Sequence, residues 1–198
     1  MTEPTLQRSD RIKQVAERQV GNAAAFRPSP GTERRAVTSV HSRALHDLQL
    51  KATVEGHSFL ADEAEAKAGH DAGPAPMRYF LAGLMMCHQV WCIKGSALRG
   101  IDLASLEGDI SCYVGASGDD EPVGHGRVLD LIRYRLEITS ESSSSDLVEV
   151  VEDALRRCPA VGTVVRGARL ELVFVHNGET VLDDSYGPAF GQADSEAR

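Results

Sequence analysis

The chain has 198 residues, of which 42% are hydrophobic and 25% are charged, and its formal net charge at pH 7 is −8. These values are typical of one good-sized globular domain or two small ones, and they exclude a fibrous or wholly disordered chain. No apolar stretch approaches the ~20 residues that cross a bilayer, and acidic charge without a run of Lys or Arg argues against a nucleic-acid partner. The polar N-terminus carries no secretory signal, so we expect a cytoplasmic protein.

The first third of the chain predicts a helix, a linker and a set of strands. Residues 9–20 form an amphipathic pattern with Ser9 as the N-cap and Gly21 as the stop, and two prolines mark residues 22–32 as a linker. We therefore expect residues 1–35 to be an N-terminal extension. Apolar residues alternate between positions 36 and 60, which predicts strands of a half-exposed antiparallel sheet, and residues 62–76 read as a polar loop.

The most apolar segment, residues 77–94, predicts a helix that ends at Gly95. Its apolar residues recur at spacings of three and four and cover almost its whole circumference. Such a helix needs to be removed from water on every side. We therefore expect it at the centre of the fold or at a subunit interface.

The second half of the chain predicts a hairpin, a helix and a closing pair of strands. Strands at residues 101–114 and 128–139 would be joined by a turn at 115–126, and Ser142–Ser145 offer N-caps for a helix that ends at Pro159. Strands are predicted at 161–175 and 180–182. We expect residues 36–186 to form the folded domain and residues 187–198 to be a flexible tail.

Four cysteines, Cys87, Cys92, Cys112 and Cys158, are the candidate reactive residues. In a cytosolic chain they indicate packing, metal binding or catalysis rather than structural disulfides. Cys87 lies in the apolar helix, where a packed thiol is the ordinary interpretation. Cys158 follows Arg156 and Arg157, and nearby positive charge favours the nucleophilic thiolate. A low-pKa thiol and a buried partner would make a redox pair, whereas Cys92 and Cys112 are expected to pack.

Two motifs extend this argument to a family. Asp71-Ala-Gly-Pro-Ala-Pro76, then Phe80-Leu-Ala-Gly-Leu84 and Cys87, is similar to the D-x-G-P-x-P…L-L-A-G-L-x-x-C segment of the OsmC/Ohr family, the osmotically inducible and organic-hydroperoxide-resistance proteins. Cys158-Pro159, with Val161 behind it, resembles the C-P-V element that carries that family's other cysteine. The order of the motifs and the intervening hairpin also agree, so the resemblance extends over about residues 36–175.

The resemblance implies an α+β, OsmC-like fold, in which curved antiparallel sheets wrap two long central helices. Two subunits would intertwine as a homodimer with active sites at the interface. It also implies that Cys87 reacts with an organic hydroperoxide to give a sulfenic acid, and that Cys158 resolves it to a disulfide. A cellular dithiol would then reduce that disulfide, and no cofactor is implied.

In the peroxidase branch of the family, an Arg held by a Glu stabilises the thiolate and donates to the leaving oxygen. By position, Arg43 and Glu63 are the nearest matches, although Ser42-Arg43-Ala44-Leu45 replaces the family's glycine-rich turn. His88 also departs from the small or hydroxylic residue that usually follows the first cysteine. We expect His88 to be structural, with a role in tuning a thiol as the alternative.

Other functions remain open at this stage. The chain could be a non-peroxidase member of the fold that binds or processes a small hydrophobic or thiol-bearing ligand. A metal site built from Cys87, His88 and Cys92 lacks the second ligand pair that zinc normally requires, and Asp119-Asp120-Glu121 lacks the spacing of a calcium loop. The other histidines are dispersed without a metal-ligand or triad spacing. No metal site is therefore predicted.

Overall fold

A computed structural model describes residues 10–22, 39–114 and 129–187 of the chain. Its elements, in chain order, are α1 (Asp10–Asn22), β1 (His41–His46), β2 (Gln49–Val54), β3 (His57–Ala61), a 3-10 turn (Glu65–Lys67), α2 (Pro76–Arg99), β4 (Ser105–Val114), β5 (Leu129–Thr139), α3 (Ser144–Arg157), α4 (Pro159–Val164), β6 (Arg169–His176) and β7 (Glu179–Tyr186). The predicted N-cap Ser9, most of the linker, the turn at 115–126 with its acidic cluster, and the tail beyond residue 187 lie outside the described residues. None of the described helices is long and apolar enough to cross a membrane.

The chain divides into two compact units. The three-stranded unit comprises Asn22–Ala82, and the helix-sheet unit comprises Met1–Gly21 together with Gly83–Arg198. The boundary falls inside α2, whose first seven residues belong to the three-stranded unit. The predicted limit of the N-terminal extension, at residues 35 and 36, lies outside the described residues.

The three-stranded unit contains the antiparallel sheet β1-β2-β3 that the alternating pattern predicted. Its two hairpin turns use residues in the left-handed conformation, with φ of 44° at Asp47 and of 47° and 84° at Glu55 and Gly56. Asp and Gly tolerate this conformation, so these turns can be tight enough to connect adjacent strands. The expected strands of a half-exposed sheet are therefore confirmed.

The helix-sheet unit contains a four-stranded sheet in the order β4-β5-β6-β7. The pairs β4-β5 and β6-β7 are antiparallel, as expected, but β5 and β6 are parallel. A parallel pair needs a crossover, and here α3 and α4 provide it. The expectation of purely antiparallel sheets was therefore wrong for this one pair. Strand β4 also begins at Ser105 rather than at Ile101, which is buried ahead of the strand.

The segment after Pro159 is helical rather than the start of a strand. Pro159 takes the first helical position of α4, where its missing N–H costs nothing, and strand β6 begins only at Arg169. The predicted strand at 161–175 was therefore wrong over its first eight residues. The valines of this segment favour a strand, namely Val161, Val164 and Val165. The segment is nevertheless helical, because Cys158 caps the N-terminus of α4 and Pro159 fits its first position.

Helix α2 is longer than its sequence pattern indicated. Gly95, the expected stop, is buried inside the helix, where a Cβ would lie 3.4 Å from Val150 Cγ1 of α3. Glycine here allows close helix approach, and the helix continues to Arg99 before Gly100, with φ of 70°, ends it. Likewise α1 includes Gly21 and ends at Asn22. In both cases a glycine was tolerated within a helix.

The core of the helix-sheet unit forms where one face of the sheet meets the helices. From Ile132 to Ile138, every second residue of β5 is buried while Arg133 and Arg135 are exposed, because side chains alternate along a strand. The fully buried side chains at its centre are Ile132, Tyr134, Leu136 and Ile138 of β5, Leu170, Leu172 and Phe174 of β6, and Leu147, Val150 and Val151 of α3. Cys158 belongs to this core, and Cys87 packs against it.

Candidate functional site

Cys87 and Cys158, predicted from separate motifs, lie side by side in the helix-sheet unit. Cys158 belongs to the buried core, and Cys87 packs against that core from α2. Cys87 is among the groups that raise the pKa of Cys158, so the two thiols are neighbours. Both thiols are free. The fold therefore brings together two thiols that are 71 positions apart in the sequence.

The position of Cys158 is set by the junction of two helices. Its backbone N–H donates to the Ala154 carbonyl at 2.9 Å and ends α3, and its Sγ accepts from the Val161 N–H at 3.5 Å and caps α4. This double role fixes the backbone on both sides of the thiol. Only 1% of Cys158 is exposed to solvent.

Burial raises the pKa of Cys158 to about 11, although the Val161 N–H opposes the shift and the Cys87 hydrogen bond adds to it. The thiol is therefore protonated near neutral pH, contrary to the expectation that Arg156 and Arg157 would favour the thiolate. The structure shows the reason. Arg157 lies 2.9 Å from Asp153 and Arg156 lies 3.5 Å from Glu152, so each guanidinium pairs with a carboxylate one turn earlier on α3.

Cys87 differs from Cys158 in its access to solvent, because it is half-buried. Its neighbours one turn away on α2, Leu84 and Trp91, share its helix face and are apolar. Cys87 is therefore partly open to a reagent and has apolar neighbours, while Cys158 is withdrawn from solvent. This order of access is suited to an attacking thiol and a resolving thiol.

His88 faces the core rather than the accessible side of Cys87. It is fully buried, its Nε2–H donates to the Val151 carbonyl at 3.4 Å, and its Nδ1 lies 3.5 Å from the Tyr134 hydroxyl. Burial lowers the pKa of His88 to about 4, so the ring is neutral at pH 7. These contacts agree with the expected structural role.

The two remaining cysteines also pack. Cys92 is fully buried one turn beyond His88, with Sγ 3.8 Å from the His88 Nε2, and burial raises its pKa, with a smaller contribution from Cys158. Cys112 is half-buried on β4. Within the described ranges, Cys87, His88 and Cys92 do not converge as a ligand set for a metal ion. No motif or spacing in the sequence predicted that Cys92 lies near Cys158.

Arg43 and Glu63 belong to the three-stranded unit. Arg43 is exposed on β1, opposite Lys51 of β2, and Glu63 follows β3. The Glu63 carboxylate lies 3.5 Å from Lys67 Nζ, and no ion pair joins it to Arg43 in the part of the chain that the structure describes. The assignment of these two residues to the site stays a prediction.

A family model described as OsmC-like protein matches residues 69–173, more than half of the chain. The chain belongs to the OsmC-like protein family. The match includes both cysteine motifs in full, and it spans α2, the β4-β5 pair, α3 and α4. The family that the two motifs indicated is thus confirmed.

Solved structures support the same α+β, OsmC-like fold. An OsmC-like protein from Mycoplasma pneumoniae superposes with a TM-score of 0.60 at 18% identity, covering 72% of this chain and 100% of its own. An organic hydroperoxide resistance protein from Elizabethkingia anophelis, with thiocyanate bound, gives 0.57 at 14% identity, covering 73% and 100%. One from Legionella pneumophila gives 0.53 at 14% identity, covering 71% and 99%. No curated protein matches the chain significantly.

Proposed function

We propose that this protein is a thiol-dependent peroxidase that reduces organic hydroperoxides through Cys87 and Cys158. The observation that carries the proposal is that a partly exposed thiol, Cys87, neighbours a buried, protonated thiol, Cys158. Two of its structural neighbours are named organic hydroperoxide resistance proteins, which is consistent with this reaction class. The fold alone does not specify an activity, so the proposal depends on the two thiols.

In the first step, the Cys87 thiolate attacks one oxygen of the hydroperoxide and the O–O bond breaks. An S–O bond forms, the thiolate becomes a sulfenic acid, and the other oxygen leaves with the organic group and takes up a proton as an alcohol. The apolar side chains beside Cys87 favour a substrate with a hydrocarbon portion over hydrogen peroxide.

In the second step, Cys158 attacks the Cys87 sulfenic acid, and the hydroxyl leaves as water when the disulfide forms. Because burial keeps the Cys158 thiol protonated, its proton is available to the departing hydroxyl. A cellular dithiol then reduces the disulfide by two exchange reactions and is itself oxidised to a disulfide. The protein returns to its starting state with both thiols reduced.

A cation would stabilise the Cys87 thiolate, and on the family resemblance we assign this role to Arg43, with Glu63 as the carboxylate that would position it in the reactive state. Arg43→Ala should then slow the reaction with hydroperoxide by at least about ten-fold, because a charged donor to the reacting atoms is lost. Lys51→Ala, opposite Arg43 on β2, is the matched control. An unchanged rate for Arg43→Ala would remove Arg43 from the mechanism without affecting the two thiols.

We also propose that two copies of the chain form a homodimer. Helix α2 exposes apolar side chains along its length, with Met77, Phe80, Met86 and Val90 each 45–54% exposed. Several exposed, large apolar residues on one helix are typical of an interaction surface. A second copy of the same chain is the partner that the family resemblance implies.

The deciding experiment maps disulfides by peptide mass spectrometry after the reduced protein meets one equivalent of tert-butyl hydroperoxide or hydrogen peroxide. We expect a Cys87–Cys158 bond that forms at least about ten-fold faster with the organic oxidant. Cys158→Ser should instead accumulate a Cys87 sulfenic acid that dimedone traps. Slow oxidation of all four thiols would contradict the peroxidase and favour the alternative, a pocket that binds a small hydrophobic or thiol-bearing ligand.

A further inference from the structure

Two histidines and an aspartate form a cluster on the surface of the three-stranded unit. His46 ends β1, Asp47 begins the turn to β2, and His70 lies in the loop that precedes α2. One Asp47 oxygen, Oδ2, lies 2.8 Å from His70 Nε2 and 3.6 Å from His46 Nδ1. The possible ligand atoms of the three residues all lie within 4.8 Å of one another.

We propose that His46, Asp47 and His70 bind a divalent transition-metal ion of the zinc type. Imidazole nitrogen and carboxylate oxygen are ligands that Zn²⁺ accepts, at bond lengths of about 2.0–2.2 Å. Ligand atoms at such distances from a tetrahedral ion are separated by about 3.4 Å, so the observed spacings bracket the required one. Small side-chain rotations bring all three donors to a common centre.

The number of donors indicates an open site. Three protein ligands leave a fourth tetrahedral position for water or another small ligand, whereas structural zinc sites are closed by four protein ligands. The three side chains are 51–63% exposed, so an ion can enter without a conformational change. The same set excludes Mg²⁺ and Ca²⁺ as preferred ions, because both favour oxygen donors.

The backbone that carries His70 is held in place by a buried carboxylate. Asp62 is only 1% exposed, and its oxygens accept from the backbone N–H groups of Glu63 at 2.8 Å, His70 at 3.1 Å and Ala72 at 3.3 Å. The Asp71 N–H also donates to the Glu63 carbonyl at 3.1 Å. These bonds act as an outer shell that orients one ligand, as residues around metal sites commonly do.

The other two ligands are held by the hairpin. His46 pairs with Gln49 at the end of β1, and Asp47 occupies the first turn position with φ of 44°. This turn places the carboxylate next to the preceding imidazole, on the side where the His70 loop passes. The cluster therefore has two ligands on a tight hairpin and one on an anchored loop.

The test is a Zn²⁺ titration of the untagged, full-length, reduced protein by calorimetry, with circular dichroism as the check on folding. We expect one site, and we expect His70→Ala and His46→Ala each to weaken its affinity by at least ten-fold. His57→Ala is the matched control because His57 is an exposed histidine on β3 of the same sheet. It should leave the affinity unchanged.

Thiols can also bind zinc, so a second measurement separates the two chemistries. Co²⁺ bound through His46, Asp47 and His70 should lack the intense ultraviolet charge-transfer band of a thiolate ligand. Loss of binding in Cys87→Ser, a thiolate band with Co²⁺, or equal affinities in the wild type and both histidine variants would each overturn the proposal. Retained binding in Cys87→Ser, with loss in the histidine variants, would support it.

Discussion

The sheets of the two units differ in how far their apolar side chains are exposed to solvent. In the helix-sheet unit, the large apolar residues of β5, β6 and α3 are almost completely withdrawn from solvent. In the three-stranded unit, the side chains of Leu45, Leu48, Leu50 and Phe59 are 37–44% exposed. A three-stranded sheet that exposes such side chains is marginal in water, whereas the helix-sheet unit has a buried core of its own. In the homodimer proposed above, a second copy of the chain would cover the exposed side chains of the three-stranded unit.

The chemistry is divided in the same way. The helix-sheet unit holds two thiols whose environment depends on packing. The three-stranded unit holds Arg43, Glu63 and the cluster of His46, Asp47 and His70, which lie near solvent. Substitutions in the helix-sheet unit should therefore affect stability and thiol reactivity together. Substitutions in the three-stranded unit should affect charge, metal binding or association with little loss of stability.

The largest expected effect is on activity. Cys87→Ser should lower the rate of organic hydroperoxide reduction by at least about a thousand-fold, because the reaction loses its nucleophile. Stopped-flow consumption of tert-butyl hydroperoxide measures this rate. Cys112→Ser, a half-buried cysteine on β4, is the matched control and should stay within about two-fold of the wild type. Similar losses in both variants would mean that Cys87 has no special role.

The contrast in packing can be tested with one pair of leucines. Leu172→Ala should lower the free energy of unfolding by about 2–5 kcal/mol, because Leu172 is fully buried and its loss leaves a cavity. Leu45→Ala, at a residue that is 40% exposed, should cost less than about 0.5 kcal/mol at concentrations where the chain is monomeric. Urea denaturation of the two variants measures both values, and equal costs would break the contrast.

The helix-sheet unit should also lose stability in mild acid, because the buried His88 becomes protonated. Its pKa is lowered to about 4 by burial, against an ordinary value of 6.5, so the unfolded chain binds the proton more readily. The stabilising effect of the neutral ring is complete above pH 6.5 and is lost as the pH falls toward 4. The loss is on the order of 3 kcal/mol at 1.36 kcal/mol per pKa unit.

Urea denaturation between pH 7 and pH 4 measures this loss. His88→Gln should flatten the pH dependence, since it removes the titrating group, while His57→Gln, at an exposed position, should keep the slope of the wild type. An unchanged slope in His88→Gln would assign the acid sensitivity to other groups.

The proposed self-association can be tested at an exposed apolar residue of α2. Met86→Glu should weaken self-association by at least about ten-fold, because Met86 is 54% exposed and a dimer interface would bury the added charge. Light scattering after size exclusion measures the mass over a range of concentrations. Glu149→Lys, an exposed site on α3, should have no effect. A monomeric wild type would remove the second copy as the cover.

Local sequence determined much of the secondary structure. The three strands of the first sheet, the helix that carries Cys87, the β4-β5 hairpin and the serine-capped α3 follow from periodicity and capping, which act over a few residues. Ser143 accepts from the Asp146 N–H at 3.2 Å, within the serine run that offered the cap. The family also followed from two short motifs, because each combines a cysteine with glycine or proline at fixed spacing.

The tertiary structure alone decided the features that depend on distant residues. Gly95 stays inside α2 because Val150 packs against it, and the pKa of Cys158 rises because burial outweighs arginines that pair with Asp153 and Glu152. The His46, Asp47 and His70 cluster joins positions 46 and 70, which share no spacing pattern. Periodicity reports on neighbours along the chain, whereas desolvation and side-chain pairing depend on what the fold brings together.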